Sequence, residues 1–131
     1  MKGLRFVLSF LALILVASMA LSCGASQRPG QLQSITVAPA AADAQAQFTA
    51  TGYYINPSHT VTPQPANWGA CYKGAPTTDV SVTMDGMAQC ASGATGTYTV
   101  FAFVAIAGQT CALNACGVGC TIIGTAQLTC P

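Results

Sequence analysis

Cysteine is the residue type with the widest chemical reach in this 131-residue chain, and there are seven, at positions 23, 71, 90, 111, 116, 120 and 130. Cys111-x4-Cys116-x3-Cys120, completed by Cys71, has the four soft donors of a tetrahedral zinc site. That spacing is looser than paired C-x-x-C ligands. Thiol redox chemistry needs a thiolate stabilised by nearby positive charge, and no C-x-x-C pair or basic cluster accompanies these cysteines. Disulfide bonding suits them best, provided the chain is exported to an oxidising space. The remaining reactive types are sparse. The three acids are Asp43, Asp79 and Asp85, scattered along the chain; glutamate is absent, and the single histidine, His59, lies in a proline-flanked stretch. No carboxylate pair, calcium loop or nucleophile–base constellation can be read from them. A non-catalytic protein without a cofactor is expected, with His59 as a solvated loop residue. A soluble periplasmic or secreted metal-binding or thiol-handling protein using the Cys111–Cys116–Cys120 loop is the alternative.

Export is written at the N-terminus. Lys2 and Arg5 precede an apolar run from Phe6 to Leu21, broken only by Ser9 and Ser18. As a helix it would be about 24 Å long at roughly 1.5 Å per residue, short of a hydrocarbon core of about 30 Å. A basic start, a short apolar stretch and small residues at its end make a secretory signal. The sequence Ala20-Leu21-Ser22-Cys23-Gly24 is similar to the bacterial lipoprotein box, which implies acylation of Cys23 as the mature N-terminus. Leucine stands one place later than that box favours, so ordinary cleavage after Ala20 or Ser22 is the alternative. Cysteine parity supports lipidation: with Cys23 acylated, six cysteines remain, enough for three bridges among 15 pairings.

Beyond position 22 the charged side chains are Arg28 and Lys73 against the three aspartates. No basic patch exists to collect phosphates or dock electrostatically on a membrane. Nucleic acid is therefore excluded as a partner, and membrane contact is expected through N-terminal lipid alone. Residues 1–22 read as signal, and 23–32 as the anchoring cysteine plus a small, polar, proline-interrupted tether. Residues 33–131 read as one folded domain.

Within that domain apolar residues alternate with polar ones, the signature of half-buried strands. Ile35 and Val37 open the series and Pro39 stops it; Ala46, Phe48 and Ala50 follow. Val80, Val82 and Met84 alternate with Ser81 and Thr83, ahead of a hairpin turn at Asp85-Gly86 and a short return strand, Met87 to Cys90. Thr97–Ile106 is the strongest strand segment, and Ala126, Leu128 and Cys130 share one face of the last. Six or seven short strands without helical periodicity predict an all-β sandwich or small barrel.

Ser34-Ile35-Thr36-Val37-Ala38-Pro39 and Gln47-Phe48-Thr49-Ala50-Thr51-Gly52, then Trp68, Gly86-Met87-Ala88-Gln89, Gly96-Thr97-Tyr98-Thr99-Val100 and Gly124-Thr125-Ala126-Gln127-Leu128, occur in an order that resembles the bacterial immunoglobulin-like group 2 domain. The resemblance implies an immunoglobulin-like antiparallel β-sandwich of about seven strands, of the kind displayed on cell surfaces. In that topology Cys90 and Cys130 fall at the same end of the domain and are expected to pair. Cys71, Cys111, Cys116 and Cys120 then supply the other bridges in an undetermined pairing. If Tyr98, Val100, Ala102 and Val104 face the core, Phe101 and Phe103 face outward. There they either lie beneath the cysteine loop or form an exposed binding patch; Trp68 is expected in the core. The functional expectation is a cell-envelope lipoprotein displaying one domain for adhesion, scaffolding, or contact with a protein or glycan ligand.

Overall fold

The computed structural model describes residues 30–105, 116 and 122–131. The signal segment, Cys23, residues 24–29 of the tether, Cys111 and Cys120 lie outside the described residues.

Eleven strands occupy the described residues: β1 (Gln31–Ala38), β2 (Ala41–Asp43), β3 (Gln45–Gln47), β4 (Thr49–Ile55), β5 (His59–Val61), β6 (Asn67–Tyr72), β7 (Ala75–Pro76), β8 (Val80–Val82), β9 (Met87–Cys90), β10 (Gly96–Phe103) and β11 (Ile123–Cys130). They hydrogen-bond in the orders β1-β4-β5, β3-β9-β8 and β2-β11-β10-β6-β7. Only Phe48 separates β3 from β4, and Phe48 and Ala50 point into the same core, with Ala46 packed against it. The first two groups are therefore one layer, built along a single chain run whose far-side partner changes from β9 to β5. The five-stranded group is the facing layer. This is an immunoglobulin-like β-sandwich, and the strand number exceeds seven because several strands are short or divided.

The core forms where the alternating residues of both layers meet. Phe48, Val100 and Leu128 are fully buried between the layers, with Ile35, Val37, Val80, Ala88, Tyr98, Ala102 and Ala126 around them. Near the start of β10, the Tyr98 hydroxyl lies 3.2 Å from an Asp79 carboxylate oxygen and 3.3 Å from the Thr95 carbonyl. Such a return bond from a buried tyrosine to the preceding corner is a hallmark of immunoglobulin-type sandwiches. Burial, reinforced by the Asp79 carboxylate, pushes the Tyr98 phenol above its ordinary pKa, because ionisation would place a second negative charge there.

The chain changes layer between β1 and β2, turning at Ala38–Pro39. β1 runs antiparallel to β4, whereas β2 runs parallel to β11. β1 begins at Gln31, so the folded unit includes the last two residues assigned to the tether. The Cys90–Cys130 disulfide ties β9 in one layer to the end of β11 in the other, with Cα atoms 5.8 Å apart. This is the pairing expected from the strand order.

A second apolar cluster lies on the outer face of the five-stranded layer. Phe101 and Phe103 do point away from the main core, as alternation requires. They do not form an exposed patch: they are 1% and 3% exposed, packed with Cys71, Cys116 and Ile123. The physical reason is the Cys71–Cys116 disulfide, spanning a sequence separation of 45, which brings residue 116 over that face. Gly69 on β6 makes room beneath: a Cβ there would stand 2.5 Å from the tip of the Phe101 ring.

Candidate binding cleft

The discontinuity beside Phe48 leaves an opening in the sandwich wall. β9 pairs Gln45–Gln47 and β5 pairs Gly52–Tyr54, so the backbone between them has no continuous strand neighbour on that side. Two other segments fill the gap in part. The turn between β8 and β9 reaches it through Phe48 N–H, which donates to the Gly86 carbonyl at 2.9 Å. The Pro63–Ala66 segment reaches it through Gln64 N–H, which donates to the Ala50 carbonyl at 2.8 Å. What remains open is a cleft of about 430 Å³, lined by Gln47–Ala50, Pro63–Ala66, Trp68, Met84 and Asp85.

Each wall is held in place. Gln64, buried among apolar neighbours, accepts a hydrogen bond from the Tyr54 hydroxyl at 2.8 Å and donates through Nε2 to the Pro65 carbonyl at 3.1 Å. These bonds satisfy an amide that would be costly to bury unpaired. Gln47 Nε2 donates to the Phe48 and Asp85 carbonyls, at 3.0 and 2.6 Å. In the turn, Thr83 Oγ1 donates to an Asp85 carboxylate oxygen and accepts from Met87 N–H at 3.0 Å. The Thr83 bond holds the Asp85 carboxyl below its ordinary pKa, so it is an anion at neutral pH. Gly86, with φ of +90°, closes the turn against the indole; a Cβ there would lie 2.4 Å from the Phe48 carbonyl and 2.9 Å from Trp68 Cζ2.

Two lining residues differ from what alternation implies. The period of Val80 and Val82 would carry Met84 inward, but β8 ends at Val82. Met84 lies in the turn, 93% exposed. Trp68 packs against the core as expected, yet it is only half-buried and part of its ring lines the cleft. A two-residue alternation cannot reveal where a strand ends in a turn, so this site had no signal beyond Asp85-Gly86 and the lone tryptophan.

The remaining chemically capable residues lie elsewhere. His59 is exposed, but on strand β5 rather than in a loop. Its ring stacks on Tyr54 with centroids 4.8 Å apart, and Nδ1 lies 2.9 Å from the Pro57 carbonyl. Asp79 is engaged with Tyr98 and Asp43 sits on β2, so the aspartates do not converge. Cys71 and Cys116 are joined as a disulfide, which removes two of the four thiolates a zinc site would need. Among the described residues no group of three or more His, Cys, Asp or Glu side chains stands together as a metal site. The chain matches no family model and no curated protein.

Proposed function

We propose that this protein is a non-catalytic, exported lipoprotein of a bacterial cell envelope, anchored through acylated Cys23 and displaying one immunoglobulin-like domain of the group 2 kind for contact at the cell surface. The observation that carries this reading is the disulfide-bridged sandwich. Two bridges on a thin core suit a small domain in an oxidising space. The signal-like N-terminus and the parity of the cysteines point to the same compartment. The walled cleft supplies a concave surface on an otherwise charge-poor domain, suited to contact rather than to proton or group transfer.

Detergent phase partitioning and intact mass of the native protein, extracted without reduction, test it. The expected product enters the detergent phase and begins at Cys23. It is heavier by acyl groups and lighter by one hydrogen for each bridged cysteine. Cys23→Ser should send it to the aqueous phase. An unlipidated wild-type chain with free thiols or retained zinc would overturn the proposal in favour of the metal- or thiol-handling alternative.

A further inference from the structure

We propose that the cleft beside Trp68 is a subsite for a neutral saccharide ring, which lies against the indole and donates hydroxyl hydrogen bonds to the Asp85 carboxylate. The proposal narrows the contact function above to a ligand class and rests on that reading only for where the sugar is met.

The chemistry of the lining selects the class. The amide donors of the cleft are engaged internally: Gln47 Nε2 and Gln64 Nε2 on carbonyls, and the N–H groups of Phe48 and Gln64 on carbonyls of neighbouring segments, which leaves the Trp68 indole N–H and the Thr49 hydroxyl as donors in the lining. Pro63 and Pro65 have no N–H to offer. Asp85 presents four acceptor sites; the Thr83 hydroxyl and the backbone N–H groups of Asp85 and Met87 engage the carboxylate, and the remaining capacity is open to a ligand hydroxyl. A fitting ligand must therefore both donate and accept hydrogen bonds, carry no negative charge, and offer an apolar face to Trp68 and Met84. A sugar ring does all three, with hydroxyls on its edge and C–H bonds on its faces.

Competing classes fit less well. An anion meets the charge of Asp85. A quaternary ammonium calls for a cage of aromatic faces; here Trp68 is the one accessible ring, since Phe48 is fully buried. The volume of about 430 Å³ lies toward the lower end of small-ligand sites, about 300–1,000 Å³, and suits a mono- or disaccharide unit. The three segments that form the cleft are already hydrogen-bonded to one another, so little ordering is required on binding.

Trp68 is the only tryptophan in the chain, so tryptophan emission, excited at the red edge where the four tyrosines do not absorb, reports on this cleft. The oxidised, full exported chain is titrated with maltotriose, cellotriose, chitotriose and mannotriose. A saturable change in emission with at least one of them is expected, with Kd of about 0.1–10 mM. Asp85→Asn should weaken it about tenfold, because it replaces a charged acceptor by a neutral one. Met84→Ala, at a position 93% exposed and outside the core, should weaken it about threefold by removing apolar contact. Unchanged melting temperatures keep both variants interpretable. Flat titrations with all four sugars to about 20 mM, or a response undiminished in both variants, overturn the proposal. So does a response to tetramethylammonium or a lysine-rich peptide in place of sugar. A protein that enters detergent but ignores sugars loses this subsite alone; one that binds sugars but stays aqueous loses the lipid anchor alone.

Discussion

Replacing Cys90 and Cys130 together by alanine removes the covalent tie between the two layers without leaving an unpaired thiol. The bridge closes a sequence separation of 40, and its removal frees the unfolded chain to gain loop entropy worth about 3.9 kcal/mol at room temperature. Domains of this size are stable by only about 5–15 kcal/mol, so the loss is a quarter of the total or more. With about 4–8 °C per kcal/mol for a domain of this length, the melting temperature should fall by roughly 15–30 °C. Thermal melts and urea titrations followed by circular dichroism read both quantities. Cys71→Ala with Cys116→Ala is the internal control: its separation of 45 alters the loop term by only about 0.1 kcal/mol. Any larger loss in that variant must come from the native state, where Cys71 and Cys116 pack on Phe101 and Phe103. Cys130 and Cys90 likewise pack on the main core, so the distinguishing readout is the outer face: the Cys71/Cys116 variant should expose the Phe101–Phe103 cluster to a hydrophobic dye. A fall of less than about 5 °C in the Cys90/Cys130 variant would refute the stapling argument. Dye binding by the Cys71/Cys116 variant no greater than that of wild type would refute the covering role assigned to its bridge.

Gly69→Ala should destabilise the domain by about 1–3 kcal/mol, since its new methyl meets the Phe101 ring. Adding Phe101→Leu should recover part of that loss in a double-mutant cycle of urea midpoints, and strict additivity would show that the two sites do not touch. Tyr98 ionises less readily in the folded than in the unfolded protein, whose reference value is 10.0. Its stabilising contribution is therefore complete below that pH and lost as pH rises through the higher folded value. Melting temperatures of wild type and Tyr98→Phe should converge over that alkaline range, and parallel profiles would contradict the assigned environment.

Alternation alone made the inner face legible in the sequence. Ile35, Val37, Phe48, Ala50, Tyr98, Val100, Ala126 and Leu128 are buried because successive side chains on a strand must point to opposite faces. It also placed Phe101 and Phe103 on the outer face. It could not say that this face would be covered, because the cover depends on a contact between residues 71 and 116, far apart in sequence. The cleft was hidden for a related reason. It exists where one long strand changes neighbours, and nothing in Gln47-Phe48-Thr49 marks that change. Met84 keeps the strand period yet lies past the strand end, where the hydrogen bonds of Thr83, Asp85 and Met87 decide its direction.

The parallel alignment of β2 with β11 bears on how the domain carries load. Ile35 and Val37 flank Gly124, while Ala41–Asp43 lie beside Gln127–Thr129. The first strands thus keep step with the last, and Gln31 and Cys130 leave from opposite ends of the sandwich. Tension applied between those two ends runs along the strands. It meets the β2–β11 ladder in shear, and its bonds, including Gln127 N–H to the Ala40 carbonyl and Ala44 N–H to the Thr129 carbonyl, must yield together rather than one after another. The Cys90–Cys130 bridge diverts that pull from the final strand into β9. Force is then shared by both layers.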